Sequence, residues 1–131
     1  MNNTPCTLFN YALVEGKEHW TPVILAKCLW TPKTETVLTS NGFQKNDLLS
    51  LFLDFRHCPK DKIYIESKAY AALSPKERVN YWTFTPMKDR ILKGTTEETD
   101  MRKIFKLDNY FTIQSVRFYD YGLKHWEVDG K

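Results

Sequence analysis

The 131-residue chain is poor in cysteine, and Cys6, Cys28 and Cys58 are odd in number and in no paired spacing. That argues against a secreted disulfide framework and predicts reduced thiols in a chain that folds in a cytosol. Glycine is scarce too: Gly42, Gly94 and Gly122 each stand alone. None lies in a glycine-rich phosphate loop, so nucleotide binding has no support and each reads as a turn residue. Long hydrophobic runs are missing. Leu48-Leu49 and Leu51-Phe52-Leu53 around Ser50 fall far short of the roughly 20 residues of a membrane span. Asn10, Glu15 and Lys17 break up the first twenty residues, so a signal peptide is not expected. Nor is there an excess of one charge, since a net +3 with 27% charged residues describes a mixed surface that does not demand a phosphate backbone as partner.

Catalytic and metal-binding patterns are equally thin. His57-Cys58 is an adjacent pair of soft ligands, but Cys6, Cys28, His19 and His125 stand at no zinc-site spacing from it. Ser115, Asp120 and His125 are a nucleophile, an acid and a base in name, yet nothing in their spacing puts them within hydrogen-bond reach. Asp54, Asp61, Asp89, Asp108 and Asp120 sit mostly at the ends of strand-like segments, where aspartate bonds local backbone N–H groups. The expectation is a protein without enzymatic activity, metal, cofactor or small-molecule substrate. Lys88, Arg90, Lys93, Arg102, Lys103 and Lys106 cluster near aromatics as in a single-strand-binding barrel. Glu97, Glu98, Asp100 and Asp108 nearly neutralise them, so a solvated charged rim is the simpler reading.

What the chain does have is aromatic residues, 15% of the total, and short strand-like segments. Cys6 to Val14, a polar turn at Glu15-Gly16-Lys17-Glu18 and Thr21 to Trp30 read as a first hairpin closed by Thr31-Pro32-Lys33. In its second arm Val23, Leu25 and Lys27 share one face, with Ile24, Ala26 and Cys28 on the other. Thr34 to Thr39 reads as a short strand stopped at Ser40-Asn41-Gly42. Leu48 to Phe55 and Ile63-Tyr64-Ile65 read as a second hairpin. Ser67 is placed to cap a short helix through Leu73, Ser74-Pro75-Lys76-Glu77 has the cap, N1 proline and early acid of another, and Thr99 could cap a turn carrying Met101, Ile104 and Phe105. Tyr81 to Thr85 and Arg90 to Lys93 flank a turn at Pro86-Met87-Lys88. In Tyr110 to Tyr119 the apolar phase slips from Phe111 and Ile113 to Val116 and Phe118 across Gln114-Ser115, as a β-bulge would require. His125 to Val128 closes the series. The sum is one domain over residues 1–131, mainly β: a small antiparallel β-barrel or sandwich of seven to eight strands with one or two short helices, and excursions at about 56–81 and 94–109. Trp20, Trp30, Trp82 and Trp126 are core candidates. A small barrel has little room for so many rings, which favours burial of some against neighbouring subunits.

Trp20 to Trp30 with its apolar middle, Gly42 followed by Asp47, Tyr64, Tyr70, Trp82-Thr83, Asp89 to Gly94, Ile113 to Val116, and His125-Trp126-Glu127-Val128 with Gly130 occur in an order that resembles a family of small head-to-tail connection proteins from prophages and tailed phages of Gram-positive bacteria. The second half also resembles the head-closure, or stopper, proteins of long-tailed phages, in which an Asp-Arg-Ile strand precedes one like Phe111 to Val116 and a final strand. The resemblance implies a structural virion protein of the neck that joins portal or adaptor to the tail. It implies a homo-oligomeric ring assembled in the host bacterial cytoplasm, in passive contact with DNA in its channel. A tail completion (terminator) protein, or an accessory phage protein that binds nucleic acid or a host factor, are the alternatives. Residues expected to make subunit contacts are Tyr64, Tyr70, Arg78, Arg102, Phe105, Tyr119 and Tyr121, with the two excursions projecting toward the channel or adjacent rings.

Overall fold

The computed structural model describes residues 2–39, 42–107 and 109–131, with side chains over 4–31, 49–107 and 109–131. Its main sheet closes on itself. Strands β1 (Asn2–Val14), β2 (Lys17–Thr39), β3 (Gly42–Asp54), β6 (Arg90–Lys93), β7 (Tyr110–Tyr119) and β8 (His125–Gly130) form a closed barrel in the order β1-β2-β3-β8-β7-β6. Every neighbouring pair in the ring is antiparallel. A two-residue parallel pair, β4 (Ile63–Tyr64) with β5 (Tyr81–Trp82), lies apart from it. The helices are one-turn pieces: α1 (Ser67–Ala72), α2 (Pro75–Arg78), α3 (Met101–Ile104) and a 3₁₀ turn at Phe55–His57. The fold is mainly β as expected, with one more short helix among the described residues.

The core follows from alternation along the strands. Leu8, Val23, Leu25, Leu49, Leu51, Leu53, Ile91, Ile113, Trp126 and Val128 all point inward and are buried. Two bulges set its phase. Between Cys6↔Leu25 and Thr4↔Cys28 the second strand carries one extra residue, so Cys28 and Trp30 turn inward with Val23 and Leu25. Simple alternation put Cys28 on the other face; the bulge is what moves it. The other bulge lies where the slip in β7 predicts it, between Ile113↔Gly130 and Ser115↔Asp129.

Three other expectations change. Thr31-Pro32-Lys33 does not close β2, which runs on to Thr39 in register with β3. Among the described residues its other neighbour, β1, pairs no farther than Asn2↔Trp30, so Pro32 lies where no described strand asks for its missing N–H on that side. Ile63-Tyr64 pairs with β5 and not with β3, because β8 takes β3 from Leu49 to Asp54. Asp100 caps α3 in place of Thr99, accepting from the Arg102 N–H at 3.0 Å, and Glu66 precedes α1 where Ser67 was expected. Ser74 and Glu77 do form a full capping box on α2.

The excursions fold back onto the barrel. From 94–109, Ile104 is buried against Phe9 and Leu92 on the outer wall, and the Phe105 ring meets Trp20 edge-on at 5.2 Å. From 56–81, Cys58 packs on the core and the Tyr64 ring touches both Trp82 and Trp126 at 5.0 Å. What leaves the barrel is another segment. Among the described residues the two strands pair only with each other beyond Trp30 in β2 and before Leu49 in β3, a two-stranded arm roughly 30 Å long at about 3.4 Å per residue.

Candidate functional site

At four residues β6 is too short for its neighbours. It pairs with β1 only over Cys6–Phe9 and with β7 only over Tyr110–Thr112, so Asn10–Val14 and Gln114–Tyr119 continue without it. On the β1 side the chain from Thr83 to Asp89 takes the place of β6, and a buried hub fixes it there. The Asp89 carboxylate, 0% exposed, accepts the Tyr11 N–H on Oδ1 at 2.8 Å. Its Oδ2 accepts the Thr85 N–H at 2.8 Å and the Asn10 side-chain N–H at 2.9 Å. Asn10 also donates to the Thr83 carbonyl at 2.7 Å and accepts the Thr83 N–H at 3.1 Å. Burial pushes the Asp89 carboxyl up to about 7, against the pull of these donors and of Arg90. Asp89 does bond a local backbone N–H, as a turn aspartate should, but the longer reach to β1 carried no signal in the sequence.

Beside this hub the barrel mouth is lined with aromatic rings. Trp126, 1% exposed, is surrounded by Phe118 at 4.7 Å, Tyr64 at 5.0 Å, Trp82 at 5.5 Å and Phe55 at 5.9 Å between centroids. Phe118 and Phe55 remain about half exposed, at 47% and 51%. A groove of about 380 Å³ opens here, lined by Tyr64, Phe84, Val116, Phe118 and Trp126 with Glu66 and Lys68 at the side. The Trp126 indole Nε1–H is buried beside the Tyr64 ring.

The expected contact residues divide sharply. Tyr70 and Arg78 are internal: Tyr70 is buried, and the Arg78 guanidinium donates to the Tyr70 and Ala71 carbonyls at 3.3 and 3.2 Å, tying α2 to the end of α1. Their surface is therefore not available to a partner. Phe105 is largely engaged in holding the 94–109 segment to Trp20 and Tyr110. Arg102 is exposed but pairs locally with Asp100 at 3.3 Å. Tyr64 lines the groove, and Tyr119 stacks on His125 at 4.8 Å with the 78%-exposed Tyr121 at its edge. Phe118 and Trp126, the centre of the mouth, were not on that list. Their direct register pairing, Phe118↔Trp126, depends on the bulge and on strand partners that sequence alone does not name.

Lys88, Arg90 and Lys93 lie over the rings of Tyr11, Trp20 and Trp30 at 5.2, 6.0 and 5.1 Å. Each cation thus covers an aromatic of the β1–β2 hairpin. Ser115 bonds Asp129 at 3.1 Å, and His125 Nδ1 donates to the Leu123 carbonyl at 2.7 Å, so neither is arranged as a nucleophile and its base. Among the described residues no three His, Cys, Asp or Glu side chains group as metal ligands, and no helix is long and apolar enough to cross a membrane. Asp120 pairs with the exposed Lys124 at 3.4 Å, while Asp54 binds Arg56 at 2.6 Å, which holds its carboxyl down at about 2. Asp108 lies outside the described residues.

No curated protein and no solved structure matches the chain. Its match to a family of unknown function, DUF6751, covers residues 1–131, and the chain belongs to that family.

Proposed function

We propose that this protein is a structural component of a phage neck, a head-tail connector of the head-closure type that joins portal or adaptor to tail as part of a homo-oligomeric ring. The observation that carries the reading is the arm formed by residues 31–39 and 42–48, which leaves the barrel without a third strand. A two-stranded ribbon alone is marginally stable in water, so an arm of this length fits a protein whose ordered state includes neighbours. The half-exposed aromatics at the mouth fit the same role, since rings that cover area at small rotamer cost are favoured at interfaces. A rigid barrel with aromatic contact surface and a protruding arm suits assembly; the role asks for no turnover, cofactor or small-molecule substrate.

Disrupting the gene in the phage that encodes it tests the reading. Filled or leaking heads that lack tails, restored by the gene supplied in trans, are expected. Infectious, tailed particles in normal yield would overturn it. A second reading, an accessory protein that binds nucleic acid, draws on the row of Lys88, Arg90 and Lys93 over aromatic rings. It requires single-stranded DNA affinity that falls steeply with salt and with removal of those cations.

A further inference from the structure

We infer, resting on the assembly reading above, that the arm of one copy adds as a strand to β7 of a second copy, in the groove beside Trp126. Copies then join head to tail.

The receiving edge is set by the short β6. Among the described residues Ser115–Tyr119 pair only with β8, and the last bonds on the other side are Met87 N–H to the Ile113 carbonyl and Ile113 N–H to the Asp89 carbonyl. Alternate residues of an antiparallel strand aim their N–H and C=O groups away from the partner, so along the groove a row of backbone groups has no partner among the described residues. An added strand would pair with that row. It would also bring apolar side chains onto Phe84, Val116 and Phe118.

The arm is suited to be that strand. Among the described residues its two strands pair only with each other beyond Trp30 and before Leu49, and Leu38 and Phe43 are register partners near its tip. Lys33 and Glu35 on one strand, and Lys45 and Asp47 on the other, balance in charge, as do Glu66 and Lys68 at the groove, so no like-charge repulsion opposes contact. The donor and the acceptor lie at opposite ends of the barrel. β1 runs from Asn2, beside Trp30 where the arm begins, to Val14, on the side where β7 outruns β6. One chain cannot close the contact on itself, so it is heterologous, the kind that builds rings or filaments. The edge of β2 between Lys17 and Cys28 also lacks pairing to β3, but Pro22 and Lys27 interrupt it, which is how edges are blunted against pairing. Gln114 to Tyr119 contains no proline.

The test uses sedimentation of the full chain over a wide concentration range with two variants. One replaces residues 34–47 by Asn-Gly, which shortens the arm to a tight turn; the other is Phe118→Lys, at a half-exposed groove position. The wild type should self-associate, and each variant alone should do so at least about tenfold more weakly. An equimolar mixture should recover a one-to-one heterodimer and stop there, because only one productive arm and one productive edge remain. Hydrogen exchange on the wild type is a second readout, independent of whether Phe118→Lys folds: amides of 114–119 and of the arm should slow together as the protein associates. Variants that associate as the wild type does, or exchange that stays fast at 114–119 in the assembled protein, overturn the strand-addition mode and leave the neck reading standing. A wild type that stays monomeric at every concentration, with its own virion proteins present, overturns both.

Discussion

Replacing Asp89 is the sharpest internal perturbation, because one carboxylate serves three donors: the Tyr11 N–H, the Thr85 N–H and the Asn10 amide. In Asp89→Ala all three lose their acceptor in a site that is 0% exposed. Each buried orphan donor costs about 1–3 kcal/mol, so even with partial relaxation the variant should lose about 3–5 kcal/mol, a large share of the roughly 5–15 kcal/mol that holds a domain folded. Asp89→Asn keeps one oxygen and should cost less. The two differ in pH dependence as well. A carboxyl raised from 3.8 unfolded to about 7 folded binds a proton on folding, so the stability that this proton contributes is fully present below pH 4 and is lost as pH rises through 7. Asparagine does not titrate, so the wild-type advantage over Asp89→Asn should be largest near pH 4–5 and shrink toward pH 8. Urea melts of the three proteins across that range provide the assay. A loss below about 1 kcal/mol for Asp89→Ala at neutral pH would refute the hub as the fastening of Thr83–Asp89 to β1.

Trp126→Ala should cost about 3–5 kcal/mol by denaturant melt, since the ring is 1% exposed and packs against five other aromatics; an unchanged midpoint would contradict its place in the core. Thiol labelling at pH 8 should be slow for all three cysteines in the folded protein and fast in denaturant, because Cys6 and Cys28 are buried and burial pushes Cys58 up to about 12. Ser74→Ala removes one half of a capping box and should lower stability by about 1 kcal/mol. Arg56→Ala should raise the Asp54 carboxyl from about 2 toward the ordinary value, as a carboxyl carbon titration would show. The stability that Asp54 contributes above pH 4 and loses as pH falls toward 2 should shrink with it.

Fold class, the first hairpin and the slip in β7 were legible in the sequence because they are local: alternation, turn residues and a phase change within ten residues each leave a pattern. Partner choice was not. Ile63-Tyr64 has the alternation of a strand that could follow Leu48 to Phe55, and nothing local says that β8, seventy residues on, displaces it. The phase of Cys28 turns on an extra residue opposite Pro5, which a reading of β2 alone cannot count. At the candidate site the same limit holds. Tyr70 and Arg78 have the composition of contact residues, yet Arg78 is drawn inward to the carbonyls at the end of α1. Phe118 stays half exposed over the buried Trp126 where β7 runs on beyond the end of β6 at Arg90. The arm looked like two short strands and a proline turn, since a ribbon's reach depends on where its neighbours end.

The most direct test of the connector account is a reconstruction of virions from the encoding phage with this polypeptide located in it. The account predicts a ring of barrels at the head-tail joint, each with its residue 31–48 arm in contact with a neighbouring subunit. Purified, infectious virions that contain no copy of the chain would contradict it.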